Sequence, residues 1–474
     1  MDEWRGPIRQ RYADPRNPSS RRLRLLALVL VPVYLAFITA AASAVHSVLK
    51  KNAPAGHPSL APSHSRAADR ADPGLTAINK IRVKKHRARL TASPAATRLA
   101  LAHSLAMAHQ GRAFEDSCVE CMNWRMVWGD AEENVGSGTS VQAAYQDLMH
   151  GRTPWANVLC RCVTQGATAV ARSGGRVWVT GIFYRPGTGT LLGARAEPRA
   201  TDPVVTGDPD KDALLHLESE IGRKVAIDHI YVHFGAPLPY SRFAWDRANG
   251  RVPLVDWDLS PPADDWSQIA AGKADSLIDE TARAAKAYGH PILLSFDHEP
   301  LYGTYVPGKP AQFVAAWRHV VDTFRATGAS NVFWVLILTA STYDAGVADL
   351  YYPGRSYVNF LGADGYNWRW AHHHARWRSF ADIFTSFYFY AREKRLPAMI
   401  TEAGTLEDPT DPGRKAAWLS GADAWLHTHS DIKAFIYFNT TVQWPWWIDT
   451  SPQSLAAFRT LANDPLLRSP MSNP

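Results

Sequence analysis

The chain has 474 residues, 46% of them hydrophobic and 20% charged, an ordinary globular composition with room for one large domain or two to three smaller ones. Its formal charge of +7 is unevenly spread: residues 1–110 carry 18 Lys and Arg against 5 Asp and Glu, and the remainder 33 against 39. The basicity therefore belongs to the N-terminal region and not to the main body, which excludes nucleic acid as the partner.

Residues 1–24 form a polar arm with seven arginines against three acidic residues, followed by 21 uncharged residues from Leu25 to Val45. About 20 apolar residues cross a hydrocarbon core as a helix. The positive flank keeps the arm cytoplasmic and sends everything after the run outward. The run 25–45 is read as an uncleaved membrane anchor. Ala42-Ser43-Ala44 resembles a signal-peptidase site, so a cleaved signal and a secreted protein are the competing reading. Residues 46–110 shift to Ala, Pro, His, Ser and Arg and read as a tether of low order, with Lys84-Lys85-His86-Arg87 as a solvated charge run and a short helix over Leu99 to His109.

Residues 111–189 form a small cysteine-containing segment with a helix over Ser140 to Met149 and a strand over Val177 to Tyr184. It holds all four cysteines, Cys118, Cys121, Cys160 and Cys162. Outside the membrane these are disulfide candidates of undetermined pairing, with a four-thiolate zinc site as the alternative.

From Thr190 the rhythm becomes regular. Short apolar runs, Leu191–Ala196, Val225–Phe234, Val252–Trp257, Ile292–Phe296, Val332–Leu338, Val358–Ala363, Ala398–Thr401 and Ile432–Phe438, alternate with helical patterns. Several of those helices end at Gly222, Gly289 and Gly328. Eight strand-helix units over residues 190–465 predict an α/β fold, a (β/α)8 barrel.

Two strands close on glutamate, Ile292–Phe296 into Asp297-His298-Glu299-Pro300 and Ala398–Thr401 into Glu402, 103 residues further on. Chemistry in such barrels sits at the carboxyl ends of the strands. A pair of carboxyls there suits glycoside hydrolysis, one protonated to serve the leaving oxygen and one ionised at the anomeric carbon. Tyr366 is a candidate to donate a hydrogen bond to the second, or a packed loop aromatic. Trp368 and Trp370 after strand six and Trp444, Trp446 and Trp447 after strand eight suit an aromatic cleft for sugar faces, with packing of the loops as the alternative for some of them. His233 at the end of strand two is a candidate for a sugar hydroxyl, or a structural histidine. His372-His373-His374 reads as a solvated loop, and no metal or cofactor is expected.

His298-Glu299-Pro300, Asp364-Gly365-Tyr366-Asn367-Trp368, Thr401-Glu402-Ala403-Gly404 and Ile448-Asp449-Thr450-Ser451-Pro452 resemble glycoside hydrolase family 26. The resemblance implies a retaining barrel glycosidase acting inside a β-linked polysaccharide, with β-mannan the first expectation and mixed-linkage β-glucan or β-xylan next. It implies Glu299 as acid/base, Glu402 as nucleophile, Tyr366 as its partner and His298 beside the acid. Mannanases of the family often carry Met-Asn-Gly where Pro300-Leu301-Tyr302-Gly303 stands here. That departure keeps a noncatalytic carbohydrate-binding barrel in exopolysaccharide or wall assembly as the alternative.

Overall fold

The computed structural model describes residues 72–115, 121, 124, 131–259, 266–300, 310–371, 375–442 and 444–468. The expected anchor at 25–45, the polar arm before it, Cys118 and His372–His374 lie outside the described residues. Among the described residues no helix is long and apolar enough to cross a membrane.

The expected tether is ordered from Asp72 onward and belongs to an α/β module. Asp72 caps α1 (Pro73–Lys84), accepting from Gly74 N and Leu75 N. Strand β1 (Thr91–Ala92) leads to α2 (Pro94–Gln110), which Ser93 caps and Gly111 ends in the left-handed region. Ala96, Ala100, Ser104 and Met107 of α2 are its buried face. A stripe of such small residues gives little apolar periodicity, which is why the sequence reads as unstructured there. Strand β2 (Ala131–Gly138), helices α3 (Val141–Leu148) and α4 (Arg152–Leu159), and strands β3 (Gln165–Ser173) and β4 (Arg176–Tyr184) complete the module in the sheet order β1-β3-β4-β2. Gly174 and Gly175, both at positive φ, close the β3–β4 hairpin. Of the basic stretch, Lys84 to His86 are exposed, whereas Arg82 is buried and donates to the carbonyls of Ala88, Val158 and Cys160. The boundary expected at residue 110 therefore falls inside one unit.

Cys160 and Cys162 form a disulfide, and Cys121 is also disulfide-bonded. No cysteine among the described residues is free, so the thiolates of a zinc site are not present there.

The barrel follows as expected. Strands β5 (Thr190–Ala196), β6 (Ile227–His233), β7 (Val252–Asp258), β8 (Ile292–Phe296), β9 (Val332–Thr339), β10 (Phe360–Asn367), β11 (Ala398–Thr405) and β12 (Ile432–Asn439) are parallel neighbours in chain order, and β12 pairs with β5 to close the ring. The short β13 (Leu467–Arg468) pairs with the start of β5. A helix at Tyr240–Ala248 joins β6 to β7, and two helices, Trp266–Ala270 and Asp275–Tyr288, precede β8. Gly272, at φ 80°, lies in the break.

The lower barrel is apolar, with Leu191, Ile227, Leu254, Leu293 and Met399 pointing inward. Trp124 closes it from below, 1% exposed, with its ring 6.3 Å from Phe333 and 6.2 Å from Phe360. The outer faces of the strands pack against the helices, where Phe313, Trp317, Phe324 and Trp334 interlock edge to face and tilted. Burial of each such side chain contributes about 1.5–3 kcal/mol.

Candidate functional site

Higher in the barrel, the inward positions that are apolar below become polar: His229, Tyr231 and His233 on β6, Asp256 and Asp258 on β7, Asp364 and Tyr366 on β10, and Glu402 on β11. They lie near the carboxyl ends of the strands, the chemical end of a barrel of this kind.

Glu402 does not end its strand, because β11 continues to Thr405. Its pairing with β10 shifts register between Ala363 and Asp364, and its pairing with β12 shifts between Ile400 and Ala403. Such irregularities re-aim side chains. Glu402 is 3% exposed. Tyr366 donates its hydroxyl to Glu402 Oε2 and Tyr231 donates to Oε1, so each carboxylate oxygen has a hydroxyl partner. Burial, followed by the charge of Glu402, raises both tyrosines well above the usual phenol range, and they stay neutral donors. His229 Nδ1 lies 3.8 Å from Glu402 Oε1, while its Nε2 is 2.8 Å from Asp256 Oδ2.

Glu299 lies three residues beyond β8. It holds φ 48°, and Asp297 holds φ 52°, a left-handed backbone that carries strain in residues other than glycine. Pro300 disfavours a helical backbone in the residue before it, which adds to the constraint. The amide of Glu299 is anchored on the Ile337 carbonyl at 3.2 Å. Burial, then the charges of Glu402, Asp256 and Asp258, push its carboxyl up to about 8 against the opposing pull of His298. His298 Nδ1 is 2.7 Å from Asp258 Oδ1 and 3.8 Å from Asp256 Oδ2. Burial alone would lower the His298 imidazolium, but Asp258 and Asp256 hold it well above its ordinary value.

Asp297 separates from its neighbours. Its Oδ2 accepts from Trp266 Nε1 at 2.6 Å and its Oδ1 from Leu259 N at 3.3 Å, so it braces the end of β7 against the following helix. Asp364 takes the Thr401 hydroxyl on Oδ1 at 2.6 Å. Burial, then Glu402 and Glu299, raise Asp364 well above the usual carboxyl range.

The expected aromatic cleft is smaller than the sequence suggests. Trp446 and Trp447 are buried. Trp446 packs 5.0 Å from Tyr366, and Trp447 lies beneath Arg199, 3.8 Å from its ring, with that arginine paired to Asp449. These two rings support the loop and offer no open face. Trp368, 37% exposed and 5.0 Å from Tyr366, is the open one, with Trp370 and Trp444 half-buried behind it. His233 is exposed at the rim and accepts from Gly235 N, which fixes its own turn. Leu301 and Tyr302 lie outside the described residues.

The sequence reading missed His229, Tyr231, Asp256 and Asp258. The signal was present as alternation, His-x-Tyr-x-His in β6 and Asp-x-Asp in β7, each putting polar groups on the inward face of a strand that otherwise reads as continuously buried. The donor sets His229–Asp256–Glu402 and His298–Asp364–Glu402 each lie within 4.8 Å. Glu402 takes the tyrosine hydroxyls, and His229 and His298 pair with Asp256 and Asp258, while His229 Nδ1, Asp256 Oδ1 and Asp364 Oδ2 are buried without a hydrogen-bond partner among the described residues.

No family model matches the chain. Endoglucanase H of Acetivibrio thermocellus is 31% identical over 268 residues, covering 53% of this chain and 29% of that protein. The barrel resembles those of glycoside hydrolase family 26. The chain spans under a third of the length of Endoglucanase H. Among solved structures, a modular endo-β-1,4-mannanase from Cellulomonas fimi aligns with 16% identity and a TM-score of 0.47 over 59% of this chain and 72% of that one. A family 26 β-mannanase from Bacteroides ovatus aligns with 15% identity and a TM-score of 0.45 over 60% and 91%.

Proposed function

We propose that this protein is a retaining endo-β-glycosidase of family 26 type that cleaves a β-linked polysaccharide by double displacement. The observation that carries the reading is the unequal treatment of two glutamates in one barrel mouth. Glu299 is pushed up to about 8 and keeps its proton at neutral pH, as a general acid must. Glu402 accepts a hydroxyl hydrogen bond on each carboxyl oxygen, from Tyr366 and Tyr231, which fixes its position as a nucleophile requires.

In this mechanism the Glu402 carboxylate attacks the anomeric carbon while Glu299 gives its proton to the departing glycosidic oxygen. A covalent glycosyl-enzyme forms on Glu402. Glu299, now a carboxylate, takes a proton from water, the water attacks the same carbon, and the C–O bond to Glu402 breaks with net retention. Tyr366 and Tyr231 hold Glu402 in line through their hydroxyls. His298, fixed by Asp258, stands beside the acid. The exposed face of Trp368 suits stacking of a sugar ring.

Similarity to Endoglucanase H puts β-glucan on the substrate panel beside β-mannan and β-xylan. The experiment is hydrolysis of these polymers by the wild type and by Glu402→Gln, with NMR of the first-formed anomer. A β-anomeric product that disappears in the variant is expected. Release by Glu402→Gln at the wild-type rate would overturn the assignment, and binding without any product would favour a noncatalytic carbohydrate-binding barrel. We also propose that Leu25–Val45 anchors the protein with its barrel outside the cytoplasm. Deleting residues 1–45 is expected to move it from the membrane fraction to the soluble one, and an unchanged distribution would refute the anchor.

A further inference from the structure

Arg195 is the inward-facing residue near the upper end of β5, on the same side of the strand as Leu191 in the barrel floor. It pairs across the ladder with Phe438 of β12. Its guanidinium lies over the Tyr231 ring, 5.3 Å from the centroid, and Tyr231 is the residue whose hydroxyl reaches Glu402. Arg195 therefore stands one side chain from the reacting carboxylate.

No ion pair or hydrogen bond holds the Arg195 side chain among the described residues, and its Nε is buried without a partner. The acids just beyond β5 and β12 and those on β7 are engaged elsewhere. Glu197 accepts from the amide and hydroxyl of Thr441, Asp449 forms two bonds with Arg199, and Asp256 and Asp258 hold His229 and His298. A half-buried guanidinium is favourable only when an anion or several acceptors complete it, and its planar fork matches a carboxylate with two parallel bonds. In ring order β5 is three strands from β8, so this cation sits away from Glu299 and on the Tyr231 side of the mouth. An anionic sugar placed there is kept apart from the acid that must stay protonated.

We infer that Arg195 is a specificity residue that binds a carboxylate carried by the polysaccharide, so that the substrate is an acidic β-glycan and not a neutral one. This inference rests on the proposed glycan-binding role of the barrel. The carboxylate belongs either to a uronic acid in the backbone or to an acidic branch, and Arg195 reads the same group in both.

The test separates binding from turnover. The full-length Glu402→Gln protein is titrated with mixed-linkage β-glucan, the same polymer oxidised at C6 to the uronate, and a β-xylan bearing glucuronic acid branches beside its unbranched counterpart. One acidic polymer is expected to bind at least about tenfold more tightly than its neutral match at low salt, with the ratio shrinking as salt rises. Which of the two does so identifies the source of the carboxylate. Adding Arg195→Gln brings that ratio towards one, and Arg195→Lys retains part of it, a pattern that loss of packing on Tyr231 alone would not produce. Equal binding of acidic and neutral polymers, a ratio unmoved by Arg195→Gln, or binding to none of them overturns the inference. The hydrolase reading is judged separately with wild-type protein. An intact ratio without product leaves Arg195 assigned and refutes catalysis, whereas product with a ratio indifferent to Arg195 does the reverse.

Discussion

Glu299→Gln tests the electrostatic division of the site without relying on turnover. In the folded protein burial first, then Glu402, Asp256 and Asp258, push Glu299 up to about 8 from an ordinary value of 4.5. An unfolded chain releases this proton near the ordinary value, while the folded protein keeps it to about pH 8. Between those limits the folded state binds more protons, so stability falls as pH rises through the window and the full penalty is present above it. At about 1.36 kcal/mol per tenfold step the upper figure is roughly 5 kcal/mol, and the partial exposure of Glu299 reduces it to roughly 2–4 kcal/mol. Glutamine cannot ionise and escapes the penalty. Urea unfolding at pH 5 should therefore give similar stabilities for the two proteins, and at pH 9 the variant should be the more stable by that amount. Parallel pH dependences would refute the reasoning. The same proton governs rate in the proposed mechanism, so wild-type kcat/KM should drop about tenfold per pH unit above pH 8.

Tyr366→Phe and Tyr231→Phe each remove one hydroxyl from Glu402. A hydrogen bond to a charged group is worth about 1.5–3 kcal/mol, so each should lower kcat/KM on the best polymer roughly 10- to 150-fold with the circular dichroism unchanged. A loss under about threefold in both would show that the hydroxyls do not serve the carboxylate. Trp124→Ala should cost about 3–5 kcal/mol in urea unfolding, because Trp124 fills the barrel floor against Phe333 and Phe360, and an unchanged midpoint would count against that packing. Asp364→Asn should leave stability at pH 7 within about 1 kcal/mol, because asparagine reproduces a protonated carboxyl and still accepts the Thr401 hydroxyl. A loss above about 3 kcal/mol would mean that Asp364 is ionised.

The barrel was legible because its strands are buried on both faces and its helices carry wide apolar stripes, patterns set by local periodicity. The α/β module was not, because α2 packs through Ala96 and Ala100, and a small-residue face looks like a linker when hydrophobicity alone is read. Glu299, Tyr366 and Glu402 could be found from strand ends and motifs. His229 and Asp256 could not be found that way, because they lie inside strands and meet only when β6 and β7 pair. The tryptophans show the opposite error. Proximity to the active end of the barrel suggested open platforms for Trp446 and Trp447, but sequence position does not distinguish a ring that faces the cleft from one that props the loop behind it.

The charge distribution couples the titration of Glu299 to that of His298. Five carboxyls, Asp256, Asp258, Glu299, Asp364 and Glu402, share the mouth with His298. Burial and negative neighbours raise Glu299 and Asp364 above the usual carboxyl range, and burial raises Asp258 as well. His298 keeps its proton because Asp258 and Asp256 face it, and the ionised form of Glu299 holds it more firmly still. Ionisation of Glu299 beside the His298 imidazolium forms an ion pair, so the two titrate as a unit, and loss of the Glu299 proton removes the acid that the proposed glycosyl transfer requires.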